Sequence, residues 1–115
     1  MRKLISILIV VFATSAYSGE WVELPPANFG QLEIVEQNTF SFADEGVYIK
    51  HKSEYPFSSS LSCSKKQFVA FVEPKLADRA LSVVMMAIAT SKTVKFYVDG
   101  CTHDYPKAVS IMLVP

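Results

Sequence analysis

The sequence predicts an α+β domain that is mainly β, a small partly closed antiparallel barrel with one α-helix over residues 76–90. Three observations lead there. Short runs of alternating apolar and polar residues recur along the chain, bounded by Gly, Pro, Asp or Ser, which is the period of a strand with one buried face. A single segment, Leu76 to Thr90, leaves that period and follows the helical one. Five or six short strands in so small a chain would expose sheet edges, and closing the sheet on itself removes them.

The chain opens Met1-Arg2-Lys3, continues with an apolar run from Leu4 to Ala13, and then reads Thr14-Ser15-Ala16-Tyr17-Ser18. A basic start, an apolar middle and small residues before a cut are the parts of a secretory signal peptide, here residues 1–18 with cleavage after Ala16 or Ser18. The apolar run is shorter than the about 20 residues needed to span a bilayer, and no later segment is a better candidate, so no stable membrane insertion is expected. Residues 19–115 then form a single secreted or periplasmic domain. Losing Arg2 and Lys3 turns a formal net charge of +0 into a small acidic excess. Such a domain lacks the basic footprint of a nucleic-acid binder. Lys50, Lys52, Lys65 and Lys66 read as solvated loop and strand-edge side chains.

Taken in order, Leu24-Pro25-Pro26-Ala27-Asn28-Phe29-Gly30 is a loop, because two prolines and a glycine interrupt a ladder. Gln31 to Glu36 carries Leu32 and Ile34 on one face and Glu33 on the other. A strand around Thr39 to Phe42 turns at Asp44-Glu45-Gly46 into the strand Gly46 to His51, where Val47 and Ile49 alternate with Tyr48 and Lys50. Ser58-Ser59-Ser60-Leu61-Ser62 is a loop. Gln67 to Val72 is apolar on both faces, the mark of a central strand. Pro74 precedes the helix, whose apolar arc is Leu76, Ala77, Ala80, Leu81, Val84, Ala87 and Ile88. Thr93 to Val98 alternates Val94, Phe96 and Val98 against Lys95 and Tyr97. Asp99-Gly100 turns the chain at Cys101, and Ala108 to Val114 places Val109, Ile111 and Leu113 on one face.

Cys63 and Cys101 are the chain's two cysteines. Behind an export signal they meet an oxidising compartment and are expected to pair. The bridge closes a loop of roughly 40 residues and contributes about 4 kcal/mol in the chain-entropy picture. With His51 and His103 the cysteines could formally make four zinc ligands, but no pair has the close spacing of a zinc motif, so no metal and no other cofactor are expected.

No catalytic residue is assigned. There is no Gly-x-Ser-x-Gly elbow, and the serines at 58–60 have no neighbouring base. A Cys63–His103 dyad requires a thiol that the disulfide consumes. Glu33 and Glu36 point to opposite faces if their segment is a strand, which disqualifies them as a glycosidase pair. The expectation is a protein that is not an enzyme. Binding is the stronger reading. The aromatics Trp21, Tyr48, Tyr55, Tyr97 and Tyr105 stand beside acids, histidines and lysines, and rings that stack on sugar C–H faces next to polar tips are what a glycan site uses. His103, Asp104 and Tyr105, in the dense stretch Thr102 to Lys107, are the candidate ligand-binding residues. On the helix, Met86 falls on the polar side with Ala89 close in angle and Met85 at the margin. Met adapts well to contacts, so these three residues are the candidate surface of a homo-oligomer.

The second half has a recognisable layout: Cys63, a strand, an alanine-rich helix, Ser91-Lys92-Thr93-Val94-Lys95-Phe96-Tyr97-Val98, Asp99-Gly100-Cys101, then Tyr105-Pro106-Lys107-Ala108-Val109 and a last strand. Over residues 63–114 this resembles small secreted bacterial proteins. More distantly it is similar to the receptor-binding B subunits of AB5 toxins of the pertussis and subtilase-cytotoxin type. The resemblance implies an oligonucleotide/oligosaccharide-binding (OB) barrel, a ring of five subunits, glycan recognition and a toxin A subunit as partner. The competing expectation is a small structural or interaction protein of the envelope with no glycan site.

Overall fold

The computed structural model describes residues 18–115. The leader assigned to residues 1–18 lies, apart from Ser18, outside the described residues. Six strands and one long helix follow in the order β1 (Glu20–Leu24), a short 3-10 turn (Pro26–Asn28), β2 (Phe29–Val35), β3 (Gly46–His51), β4 (Phe68–Phe71), α1 (Pro74–Thr90), β5 (Thr93–Thr102) and β6 (Tyr105–Val114). The strands form one sheet in the order β1-β5-β6-β4-β3-β2.

That order corrects the expected barrel. The sheet is open, with β1 and β2 at its two ends. It is also mixed, because β4 and β6 pair in parallel through Ala70 and Lys107 while the other pairings are antiparallel. The connection from β4 through α1 lays the helix on one face of the sheet. Val22, Leu24, Ile49, Val69, Phe71 and Phe96 make one buried cluster with Ala77, Ala80, Val84 and Ala87 of α1. The helix, not a second wall of strands, therefore covers the core.

The helix begins two residues earlier than its apolar arc implies. Glu73 caps it, accepting from the Leu76 N–H at 2.9 Å and the Lys75 N–H at 3.3 Å, with Pro74 at the first position, where its missing N–H costs nothing. Ser91 ends it in the left-handed region (φ 54). Ile88, placed in the buried arc by angle, is 42% exposed.

Three turn and strand expectations also change. Residues 39–42 form no strand; only Phe40 and Ala43 bridge. Their alternation does not fit one buried face, since Phe40 and Phe42 stack on each other (4.8 Å between centroids) and stay exposed. Asp99-Gly100 does not turn the chain. It is a bulge, two residues facing one on β6, with Gly100 at φ 81. β5 continues to Thr102, and the hairpin turns at His103-Asp104, both in the left-handed region (φ 48 and 71). That is the type I′ form of a two-residue hairpin loop, which needs positive φ at both positions, a conformation His and Asp tolerate better than most residues. A second register shift leaves Val109 unpaired between Ala108 and Ser110. Val109 is consequently exposed while Ala108 takes the buried position.

The opposite sheet face carries a smaller cluster, Val35, Ala43, Tyr48, Ala70 and Tyr105, with Phe68 and Val72 packed against it. The 36–45 connection covers it. Gly46 re-enters the sheet where a Cβ would collide with the Phe71 carbonyl oxygen. Cys63 and Cys101 are bonded, with their Cα atoms 5.7 Å apart, within the usual range.

His51 is buried in the first core region, its ring edge-on to Tyr55. Its Nδ1 accepts the Ser53 N–H at 2.9 Å, so the neutral ring carries its proton on Nε2. Burial pushes the imidazole pKa down. The unfolded chain therefore binds the proton more readily, and stability is present above the unfolded value near 6.5 and lost as pH falls below it. Asp44 and Asp104 act in the same sense only at lower pH, because their carboxyls are held below 3.8. The unfolding free energy measured in urea should accordingly be flat from pH 8 to 7 and fall as the pH drops below about 6.5, by no more than about 1.4 kcal/mol per pH unit. His51→Gln should flatten that fall. An unchanged slope in the variant would place the titrating group elsewhere.

Candidate functional site

The 36–45 connection and the β5–β6 hairpin tip approach each other on the side of the sheet away from α1. A turn closed by Thr39 N–H to the Glu36 carbonyl (3.2 Å) opens the connection, with Asn38 in the left-handed region (φ 63). Asn adopts that conformation at little cost and is favoured at such a turn. At its far end the Tyr48 hydroxyl donates to the Asp44 carbonyl at 2.7 Å. Burial raises the Tyr48 pKa to about 12, so the hydroxyl keeps its proton as that donor.

Asp44 then grips the hairpin tip. Its carboxylate accepts the Thr102 hydroxyl at 2.6 Å and stands 3.1 Å from His103 Nε2. The Thr102 hydrogen bond, followed by His103, holds the Asp44 carboxyl below the usual carboxylate range. Between these parts lies a polar cleft of about 510 Å³, lined among others by Gln37, Asn38, Phe40, Asp44 and His103.

The three residues singled out in the sequence separate here. His103 lines the cleft. Asp104 faces the other way and braces the Cys63 segment, accepting the Ser64 hydroxyl at 2.7 Å and the Ser64 N–H at 3.2 Å. Those bonds hold its carboxyl below the usual range. Its carbonyl also accepts the Lys65 N–H at 3.1 Å. Tyr105 turns inward and is 8% exposed. Its ring meets Tyr48 at 4.9 Å and Phe68 at 5.3 Å, and Lys65 Nζ sits 4.2 Å from its centroid.

Gln37, Asn38, Phe40 and Asp44 were missed as site residues because Thr39 to Phe42 alternates like a strand. The available signal was the polar run Gln37-Asn38-Thr39, whose turn chemistry argues against a ladder. A second aromatic surface lies at the sheet's other end. Trp21, nearly half exposed, is edge-on to Tyr97 at 5.3 Å, and the Tyr97 hydroxyl donates to the Ser18 carbonyl at 3.0 Å. Its strand, β1, also escaped the sequence reading, although Val22 and Leu24 alternate with Trp21 and Glu23. On α1, Met85, Met86 and Ala89 are all exposed.

Among the described residues no three His, Cys, Asp or Glu side chains converge as metal ligands. No helix among them is long and apolar enough to cross a membrane. No family model matches the chain, and no curated protein does.

Proposed function

We propose that the chain is a secreted, non-enzymatic binding module that takes a carbohydrate in the cleft between the 36–45 connection and the hairpin tip. The observation that carries this reading is the mixture in one concave site. An exposed Phe40 ring lies beside the amides of Gln37 and Asn38, the Asp44 carboxylate and His103. Sugar rings present apolar C–H faces and hydroxyls that both donate and accept. An aromatic face answers the first, and amide and carboxylate groups answer the second. The carboxylate of Asp44 has lone-pair positions beyond the two contacts it makes, and its depressed pKa keeps it an acceptor at neutral and mildly acidic pH. The sequence of residues 63–114 resembles that of toxin B subunits, although the closed barrel this resemblance implied is not formed, and the resemblance points to the same ligand class. Under that reading Met85, Met86 and Ala89 would face like subunits, and a toxin A subunit would be the partner.

A second reading has its own support. His103 and Asp104 are tied by Asp44 and Ser64, and Tyr105 is packed, as in a protein whose hairpin is only braced. Screening the mature protein on a glycan array separates the two. Binding should appear, and Phe40→Ala should weaken it at least about tenfold, the loss of one stacking contact worth about 1.4 kcal/mol, while Trp21→Ala leaves it unchanged. A blank array sinks the carbohydrate reading. Loss with Trp21→Ala alone moves the site to the Trp21–Tyr97 surface.

A further inference from the structure

We propose that the outer edge of β2 is a docking site for an extended, basic peptide segment of another protein, which would add a seventh strand to the sheet. This rests on a different part of the molecule from the carbohydrate cleft and does not depend on it.

The backbone comes first. The His51 N–H bonds the Gln67 carbonyl at 2.8 Å, so His51, Ile49 and Val47 direct their backbone groups toward β4. By the alternation of an antiparallel ladder, Lys50, Tyr48 and Gly46 direct theirs toward β2, where they face Gln31, Glu33 and Val35. The intervening Leu32 and Ile34 therefore turn their N–H and C=O groups outward. Among the described residues no strand lies beyond them. The register irregularity between Phe29 and Gln31 distorts the start of β2, a usual protection of an edge. It leaves Leu32 to Val35 regular and available.

The side chains supply the second observation. Ile34 is 65% exposed, more than any other large apolar residue among those described. It borders a groove of about 520 Å³ between β2 and the first turns of α1, with Val47 and Ala77 on its apolar wall. A strand added along β2 would drop alternate side chains into that groove, which is how β-augmentation acquires specificity.

Charge selects the occupant. Glu36, Glu45 and Asp78 line the groove, and no lysine or arginine does. Self-pairing of two copies through this edge would bring two sets of these carboxylates together, which opposes it. A segment carrying Lys or Arg on either side of apolar β-branched residues complements both the wall and the rim.

The test uses the mature, disulfide-bonded protein and a capped synthetic peptide, Lys-Thr-Val-Thr-Val-Lys-Arg. Two controls are the same peptide with Glu at every basic position and one with alternate backbone nitrogens methylated. Amide shifts are followed by NMR. The basic peptide should perturb the amides of residues 31–36, bind more weakly as salt rises, and lose at least about tenfold in affinity on N-methylation. The acidic peptide should not bind. Ile34→Pro, which removes an outward donor at a position where an edge tolerates proline, should abolish binding. Should that variant unfold, Glu36→Lys with Asp78→Lys serves instead and should exchange the preference for the acidic peptide. Saturation with no shift at residues 31–36, or equal binding of both charge types, overturns the proposal. Concentration-dependent shifts at β2 without peptide would also overturn it, in favour of a second copy.

Discussion

Replacing Cys63 and Cys101 together by alanine should lower the unfolding free energy by about 4 kcal/mol, the largest effect expected of any surface-preserving change. The bridged residues are 38 apart in sequence, and closing a loop of that length removes about that much entropy from the unfolded chain. A domain of this size has a total of roughly 5–15 kcal/mol, so the variant should sit near the edge of folding at 37 °C. The native state loses little packing, because alanine keeps the Cβ and only the buried Cys63 sulfur leaves a space. The Ser64–Asp104 hydrogen bonds, the Lys65 N–H to Asp104 carbonyl bond and the Lys65 ammonium over the Tyr105 ring are then what hold the Cys63 segment to the hairpin. Urea titration followed by Trp21 fluorescence measures the difference, with the native chain under reductant as a second route to the same state. A loss below about 1 kcal/mol would mean that the unfolded chain is already restrained without the bridge.

Tyr105→Ala should cost about 3–4 kcal/mol, the expected penalty for emptying a buried aromatic site. The ring is 8% exposed and packs edge-to-face with Tyr48 and Phe68, under the Lys65 ammonium. Lys65 adds about 0.5–1 kcal/mol of cation–π attraction that alanine also forfeits. The consequence reaches the cleft. Tyr48 would lose its neighbour, and its hydroxyl positions Asp44. Tyr105→Phe keeps the ring and should cost less than about 1.5 kcal/mol. Measured at low temperature on the folded fraction, glycan binding by Tyr105→Ala should fall less than stability does. A variant with unchanged melting temperature and no binding would instead make Tyr105 a ligand contact and the packing account wrong.

Much of the fold was legible because its signals are local. Gly46 to His51 and the apolar stretch within Gln67 to Val72 show their burial in their own composition, and β3 and β4 are found there. The helix declares itself by period, and its Glu73 cap and Pro74 start refine the boundary. The errors fall where a local pattern has two meanings. Asp99-Gly100 looks like a turn but is a bulge, because the strand pairing beyond it continues to Thr102 and Tyr105. Phe40 and Phe42 alternate like a strand, yet the sheet face beside them is already filled by Tyr48, Ala70 and Tyr105. The candidate site was legible only in part. His103 lines the cleft, but the stretch Thr102 to Lys107 could not reveal that Tyr105 begins a strand facing inward.

A mainly β domain with one helix and the pairing of the two cysteines were both readable from the chain before its fold was known. Each of those follows from short-range periodicity or from the chemistry of a single residue type. Whether the sheet closes depends instead on how distant segments pack. Closure requires β1 to meet β2, and the helix laid across the buried face satisfies the core without it. The same is true of the cleft. Gln37, Asn38, Phe40 and Asp44 reach His103 only because the Tyr48 hydroxyl and the Thr102 hydrogen bond hold two distant segments together. Such long-range contacts leave no periodic trace in the chain that makes them.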